Sequence, residues 1–157
     1  ALVQSIAGGN TMVMNRAAHQ LLREAAKRTS FVIHDWWAYL LVAAAGGQIH
    51  YSPEPGLLYR QHGGNVIGAN TSWLGRLQRL EPLLAGRFAG WTDQNLAALE
   101  TCRELLSPEA RSLIDEFDQM RRKSLLQRLP ALRRLGLRRQ TTLGQISLYA
   151  ACLLNRL

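Results

Sequence analysis

The chain has 157 residues, of which 47% are hydrophobic and 19% are charged, so its composition is that of a folded protein and not of a disordered one. Its two cysteines lie about fifty residues apart, which matches neither metal-ligand spacing nor a disulfide framework, and we interpret both as reduced packing residues. The net charge of +8 is concentrated at one end. Residues 121–157 hold nine basic residues and no acidic ones, whereas residues 1–120 hold ten basic and eleven acidic residues.

The first part of the chain is predicted to be mixed α/β. Gly8 and Gly9 predict a turn before the short apolar run 11–14, which is typical of a buried strand. Asn15 can then cap a helix over about 16–28, because its side-chain oxygen can accept from a backbone amide of the first turn.

A second helix is predicted to begin near Asp35 and to end at Gly46-Gly47, because glycine adopts the left-handed conformation at low cost. Residues 48–52 alternate between polar and apolar types and predict a strand that ends at Pro53. Residues 57–61 predict another short strand or extended segment.

From about residue 72 onward the pattern predicts helices only. Ser107 and Pro108 form a helix start, with serine as the N-cap and proline at the first helical position. The predicted helices span 72–88, 92–106 and 108–129, followed by one or two pieces between 131 and 157.

Two tryptophans directly follow Asp35 in the run His34-Asp35-Trp36-Trp37. An aspartate at a helix N-terminus is stabilised as the anion. Adjacent helix positions point about 100° apart, so we expect one of the two rings to lie near a cleft, where its face can stack on a sugar. The alternative is structural: Asp35 caps the helix and both tryptophans pack.

A second polar group follows, in which Arg60, His62 and Asn65 are interleaved with glycines. Arginine suits diphosphate recognition through its forked donors, and histidine can ligate a divalent cation or donate a hydrogen bond. The alternative is a polar loop after an edge strand.

These elements occur together in HDWWAYLLVAAAGGQIHYSPEPGLLYRQHGGNVIGA, which resembles glycosyltransferase family 2, and in particular its bacterial rhamnosyltransferase-like members. The resemblance lies in the order and spacing of HDWW, A-x-x-G and YRQHxxN-x-x-G, and it covers roughly residues 5–70. It implies that residues 1–70 are the C-terminal part of a GT-A type, Rossmann-like α/β catalytic domain, and that residues 71–157 are an all-helical extension.

In such enzymes an aspartate at the position of Asp35 acts as the general base that deprotonates the acceptor hydroxyl during an inverting displacement. His62 matches a histidine near the metal and the diphosphate. The resemblance places the other matching positions against the donor or the acceptor: Gly8 and Gly9 in the sugar cleft, Trp36 and Trp37 in the acceptor pocket, and Arg60 and Gln61 on the donor side.

The implied reaction moves a sugar from a nucleotide-sugar donor to a hydroxyl of a glycan or a lipid-linked acceptor in cell-surface polysaccharide synthesis. Complete enzymes of this kind hold a divalent cation, Mg²⁺ or Mn²⁺, on the donor diphosphate with an acidic Asp-x-Asp motif, which this sequence lacks. We therefore interpret the chain as a C-terminal portion that by itself neither binds sugar nucleotides tightly nor transfers sugar.

Arginines and leucines are interleaved in residues 121–139. This composition predicts an amphipathic segment at an anionic membrane surface, and we expect a cytoplasmic protein that contacts the inner face of the plasma membrane peripherally through residues 121–157. Residues 146–157 are more apolar but too few to span a bilayer. The alternative is a solvated helix packed on the catalytic domain. The predicted apolar stripe consists of Leu125, Leu126, Leu129, Leu132 and Leu135.

Two other function classes compete with the enzyme. A nucleic-acid-binding protein is favoured only by the basic tail; the sequence contains no reader motif and its aromatic residues cluster elsewhere, so we expect no nucleic-acid partner. A non-catalytic interaction module, or a remnant that folds only with a partner, would also fit part of an α/β sheet with exposed edges.

Overall fold

The computed structural model of the protein describes residues 1–6, 8–57 and 87–157. Within these ranges the chain forms helices and no strand, so the predicted α/β, Rossmann-like (GT-A type) fold is wrong for the described residues. The helices are α1 (Arg16–Ala26), α2 (His34–Ala44), α3 (Arg87–Thr101), α4 (Pro108–Arg121), α5 (Leu125–Arg134) and α6 (Thr142–Leu153), with a 3₁₀ turn at Arg103–Leu105.

The segments that predict strands have no regular secondary structure where they are described. Residues 11–14 and 48–52 form turn or coil, and the side chain of Val13 is 99% exposed. A strand depends on hydrogen bonds to a neighbouring strand, and neither segment has such a neighbour within the described ranges. Of the third segment only Leu57 is described, as an exposed residue outside any helix or strand, and residues 58–61 lie outside the described residues.

The helix starts and stops that depend on capping residues are confirmed. Asn15 Oδ1 accepts from the backbone amide of Ala18 at 2.9 Å, so α1 begins where the sequence predicts. Gly46 has a left-handed φ of +79° and ends α2. Its amide donates to Ala43 O and the next amide to Val42 O, a Schellman arrangement that satisfies two of the last carbonyls of the helix.

Ser107 caps α4 and also connects α4 to α2. Its Oγ accepts from the amide of Ala110 at 3.2 Å, and its own amide donates to the carbonyl of Ala44 at the end of α2. We expect Ser107→Ala to lower the free energy of unfolding by about 1 kcal/mol, the usual cost of losing a side-chain cap. Urea unfolding followed by circular dichroism measures the change.

Ser124 supplies the matched control for this prediction. It occupies the same N-cap position before α5, but its side chain makes no capping hydrogen bond. Ser124→Ala should therefore change the free energy of unfolding by less than about 0.5 kcal/mol. An equal loss in both variants would show that the effect comes from serine in an extended conformation and not from the capping bond.

The helical part departs from the sequence prediction in its breaks. The predicted helix over 108–129 is two helices, because the chain leaves helical geometry after Arg122 and Ser124 is extended with φ −62° and ψ 158°. Pro130 lies inside α5. The predicted helix over 72–88 lies outside the described residues except at its last two positions, which begin α3, and so does the domain boundary predicted between residues 70 and 71.

The buried side chains form two clusters that meet along α4. The first cluster combines α1, α2, α3 and the start of α4, with Trp37, Leu99 and Ile114 among its members. The second combines α4, α5 and α6 around Phe117 and Leu132. Residues before and after the undescribed segment 58–86 therefore pack in one core.

Both cysteines are packing residues, as the sequence predicts. Cys102 belongs to the first cluster and Cys152 to the second, and each is fully buried with a free thiol. Burial raises the pKa of both thiols, so each is protonated near neutral pH.

The first residues of the chain are held against the segment that follows α5. Arg139 Nε donates to the carbonyl of Val3 at 2.8 Å, and the amide of Gln140 donates to Gln4 Oε1 at 3.1 Å. Val3 is buried in the second cluster. Burial lowers the pKa of Arg139, whose side chain is directed at this contact.

Candidate active site at the start of α2

Asp35 is the second residue of α2 and its carboxylate lies at the amino end of the helix. Oδ1 accepts from the backbone amide of Trp36 at 2.7 Å, and Oδ2 accepts from the backbone amide of Gly9 at 3.2 Å. The preceding N-cap residue, Ile33, has no side-chain acceptor. The carboxylate thus lies at the N-terminus of α2, where backbone amides without a partner in the helix favour a negative charge.

The Gly8-Gly9 turn lies directly against this helix end. The amide of Thr11 donates to the carbonyl of Gly8 at 3.0 Å, and the Thr11 hydroxyl donates to the same oxygen at 3.1 Å, which closes the turn. A Cβ atom at Gly9 would overlap the imidazole of His34. The exposed His34 ring would therefore have to turn aside for a larger residue at position 9.

The structure brings together two of the predicted site positions from distant parts of the sequence. Gly9 and Asp35 are 26 residues apart and are joined by a hydrogen bond, with Gly8 exposed beside them. His34, which is exposed, completes the surface of this group. We call the four residues Gly8, Gly9, His34 and Asp35 the α2 entrance.

Both tryptophans after Asp35 are buried, so the expectation that one ring lies at an open cleft is wrong. Trp36 is 8% exposed and its Nε1 donates to the carbonyl of Ala1 at 3.1 Å. Trp37 is 1% exposed and stacks on Phe31, with ring centroids 5.8 Å apart and an interplanar angle of 5°. A helix that is apolar nearly all round is enclosed by protein, so adjacent positions both meet the core.

Trp36 nevertheless borders a small cavity of about 20 Å³ that Leu2 and Phe88 also line. That volume is about the size of one water molecule and is too small for a sugar ring. Any contact of Trp36 or Trp37 with an acceptor therefore remains a prediction that would need this part of the core to open.

The remaining predicted site positions fall outside the described residues. Arg60, Gln61 and His62 lie in the segment 58–86. Among the residues that the structure does describe, no group of three or more His, Cys, Asp or Glu side chains could hold a metal ion. The described residues therefore do not supply the several oxygen ligands that a site for Mg²⁺ or Mn²⁺ requires.

The α2 entrance can accept a proton from a bound hydroxyl. An ionised carboxylate offers about four lone-pair directions, and the Asp35 carboxylate uses two of them for backbone amides within the described residues. Asp35 is partly exposed, so a hydroxyl group can reach it from solvent. The two amides hold the carboxylate in place while it does so.

Two residues of this region have no assigned role in the sequence prediction. His34 is part of the HDWW run, but only the fold shows that its ring meets Gly9. Phe31 gives no local signal because it precedes α2, and its stack on Trp37 spans a helix start. Aromatic spacing of six residues across a helix boundary is not diagnostic of contact.

Comparison with protein-family models, with curated proteins and with solved structures finds no match to this chain. The resemblance to glycosyltransferase family 2 therefore remains a prediction from the motif residues. In the described part of the chain no helix is long and apolar enough to cross a membrane.

Proposed function

We propose that this chain is part of an inverting glycosyltransferase and that Asp35 is its general base. The observation that carries the proposal is the α2 entrance, where the Asp35 carboxylate is partly exposed and fixed by the amides of Gly9 and Trp36. The ordered motifs around Asp35, and the glycine turn that the same motifs place in a sugar cleft, support it. General-base catalysis needs a carboxylate within reach of the hydroxyl and does not require an α/β fold.

The proposed reaction transfers a sugar from a nucleotide-sugar donor to a glycan or lipid-linked acceptor. The acceptor oxygen attacks the anomeric carbon from the face opposite the diphosphate, and its proton passes to Asp35 as the new bond forms. The bond from the anomeric carbon to the diphosphate oxygen breaks with its electron pair, so the configuration at that carbon inverts. Gly8 and Gly9 present backbone to the sugar, and His34 can donate a hydrogen bond beside it.

Asp35→Asn tests this assignment. The amide cannot accept a proton from the acceptor, so we expect kcat to fall by about 100-fold or more. The assay measures transfer from a panel of radiolabelled nucleotide sugars to a membrane extract, with the full-length product of the reading frame that encodes this chain. The affinity for the donor should change little, because Asp35 is assigned to the acceptor.

Asp93→Asn is the control for the loss of one carboxylate. Asp93 is an exposed residue of α3 that pairs with Arg121, far from the α2 entrance in sequence. It should retain nearly full activity. Asp35→Asn activity within threefold of the unmodified protein, in a variant that melts at the same temperature, would rule out the general-base role.

A non-catalytic interaction module is the second candidate. The observation that favours it is the exposure of Val13, Ile49 and Tyr51 on segments without regular structure, since exposed apolar side chains often mark a contact surface. An interaction module would transfer no sugar from any donor in the same assay. Its binding to a partner would be insensitive to Asp35→Asn.

A further inference from the structure

The nine basic side chains of residues 121–157 divide into two groups. Five are engaged by the protein: Arg121 with Asp93, Arg122 with Asp118, Arg128 with the carbonyl of Cys152, Arg139 with the carbonyl of Val3, and Arg133 over the ring of Tyr149. The other four have no partner within the described residues: Lys123, Arg134, Arg138 and Arg156. The charge available to an external anion is therefore less than the sequence suggests.

The leucines of α5 divide in the same way, so the predicted stripe is not a single outward face. Leu132 is fully buried, and Leu135 packs against the second cluster. Leu125 and Leu126 are exposed, and Leu126 is 86% exposed. The apolar surface that α5 presents to solvent is therefore at its beginning.

A groove of about 390 Å³ runs beside these exposed leucines. Two of the unpaired cations, Lys123 and Arg134, line it together with Leu126 and Pro130. Cations and an exposed leucine thus share one concave surface. We call the residues Lys123, Leu125, Leu126 and Arg134 the α5 surface.

We propose that the α5 surface docks on a bilayer that contains anionic phospholipid. Lys123 and Arg134 pair with lipid phosphates, while Leu125 and Leu126 enter the boundary between headgroups and acyl chains. Residues 119–157 contain no Asp or Glu, so the sequence around the α5 surface adds no negative side chain that would repel an anionic membrane. This contact goes beyond the proposed transfer reaction and does not depend on Asp35.

A membrane explains the α5 surface better than a nucleic acid does. Exposed leucines gain from leaving water at a bilayer, whereas single-stranded nucleic acid is held by aromatic stacking on a basic groove. The one aromatic residue of the segment 121–157 is Tyr149, and its ring is covered by Arg133. The side chains of the α5 surface therefore match lipid and not bases.

Vesicle flotation of the complete 157-residue chain tests the proposal. We expect binding to vesicles in which about one-third of the phosphatidylcholine is replaced by phosphatidylglycerol, and none to phosphatidylcholine alone. Raising the salt from low concentration to about 0.15 M or above should weaken binding, because screening shortens the reach of the charges. Absence of binding to the anionic vesicles at low salt would overturn the proposal.

Paired variants assign the binding to the α5 surface. Lys123→Gln with Arg134→Gln should lower the partition coefficient about 25-fold, or about fivefold for each charge. Leu125→Ser with Leu126→Ser should lower it about 10-fold or more, because exposed leucines lose their transfer into the bilayer. Leu125 and Leu126 are exposed and belong to neither buried cluster, and the side chains of Lys123 and Arg134 have no partner within the described residues. Circular dichroism should therefore show that the variants fold as the unmodified protein does.

Leu143→Ser with Ile146→Ser is the matched control on α6. These two apolar side chains are similarly exposed but belong to a helix without any charged residue. Their replacement should leave vesicle binding unchanged, and a loss equal to that of the α5 leucine pair would overturn the assignment. The chain can also be tested for binding to RNA. Binding that is lost in Lys123→Gln with Arg134→Gln but kept in Leu125→Ser with Leu126→Ser would show that the α5 surface binds a nucleic acid and not a membrane.

Discussion

Replacement of Trp37 by alanine is expected to lower the free energy of unfolding by about 3–5 kcal/mol, the usual cost of removing a buried tryptophan from a packed core. Trp37 is the largest fully buried side chain of the first cluster, and it stacks on Phe31. Its loss leaves a cavity in the first cluster, which relaxation of the neighbouring side chains fills only in part. Urea unfolding, followed by circular dichroism, measures the change.

Trp37→Phe separates packing from hydrogen bonding at this position. The indole Nε1 of Trp37 is buried and has no hydrogen-bond partner within the described residues. Phenylalanine keeps the aromatic stack and removes a donor whose burial costs about 1–3 kcal/mol, so we expect a much smaller loss than for alanine. Equal losses in the two variants would show that the indole N–H contributes to stability as much as the packing of the ring, which would contradict this expectation.

Tyr51→Ala is the control for removing an aromatic side chain from the protein surface. Tyr51 is exposed and makes no ring contact within the described residues. Its removal should change the free energy of unfolding by less than about 0.5 kcal/mol.

Replacement of Arg128 by methionine is expected to lower the free energy of unfolding by about 2–4 kcal/mol, because two charge-assisted hydrogen bonds are lost. The Arg128 guanidinium is buried between helix ends. Nη1 donates to the carbonyl of Cys152 near the end of α6, and Nη2 donates to the carbonyl of Lys123 just after α4. One cation on α5 thus holds the carboxyl ends of two other helices, where the dipole favours positive charge.

Lysine at position 128 should recover only part of the loss, because an ammonium group does not reproduce the two diverging donors of a guanidinium. Arg134→Met is the matched control, since Arg134 is an exposed arginine of the same helix without an internal partner in the described residues. It should be neutral within about 0.5 kcal/mol. A methionine at position 128 that is equally neutral would show that burial of the charge cancels the hydrogen bonds.

Capping chemistry made several helix ends predictable from sequence. Asn15, Ser107 and Gly46 act through bonds to residues three or four positions away, which is the range in which local pattern is informative. Local pattern could not establish whether the strands predicted over 11–14 and 48–52 form. Their existence depends on a neighbouring strand, and alternation alone does not show whether one is present.

The candidate site was predictable in its residues and only partly in its geometry. The motif around Asp35 singles out Gly8 and Gly9, and the hydrogen bond from Gly9 to Asp35 is a finding of the fold. The prediction for the tryptophans was based on the 100° between adjacent helix positions and assumed that one side of the helix faces solvent. That assumption does not hold for α2, which is packed by other residues of the first cluster. Arg128 and Arg139 are engaged by backbone carbonyls of distant residues, which no sequence pattern marks.

The bonds from Arg139 to Val3 and from Gln140 to Gln4 also bear on the order in which the protein folds. Val3 and Arg139 are 136 residues apart, so forming this contact first would close a very long loop, with an entropic cost of about 4 kcal/mol from its length alone. Once α4, α5 and α6 have packed, Arg139 and Gln140 between α5 and α6 are already in position to bind the first residues of the chain. The folding route with the lowest loop-closure cost therefore docks the N-terminal segment last, onto a core that has already formed through contacts closer in sequence.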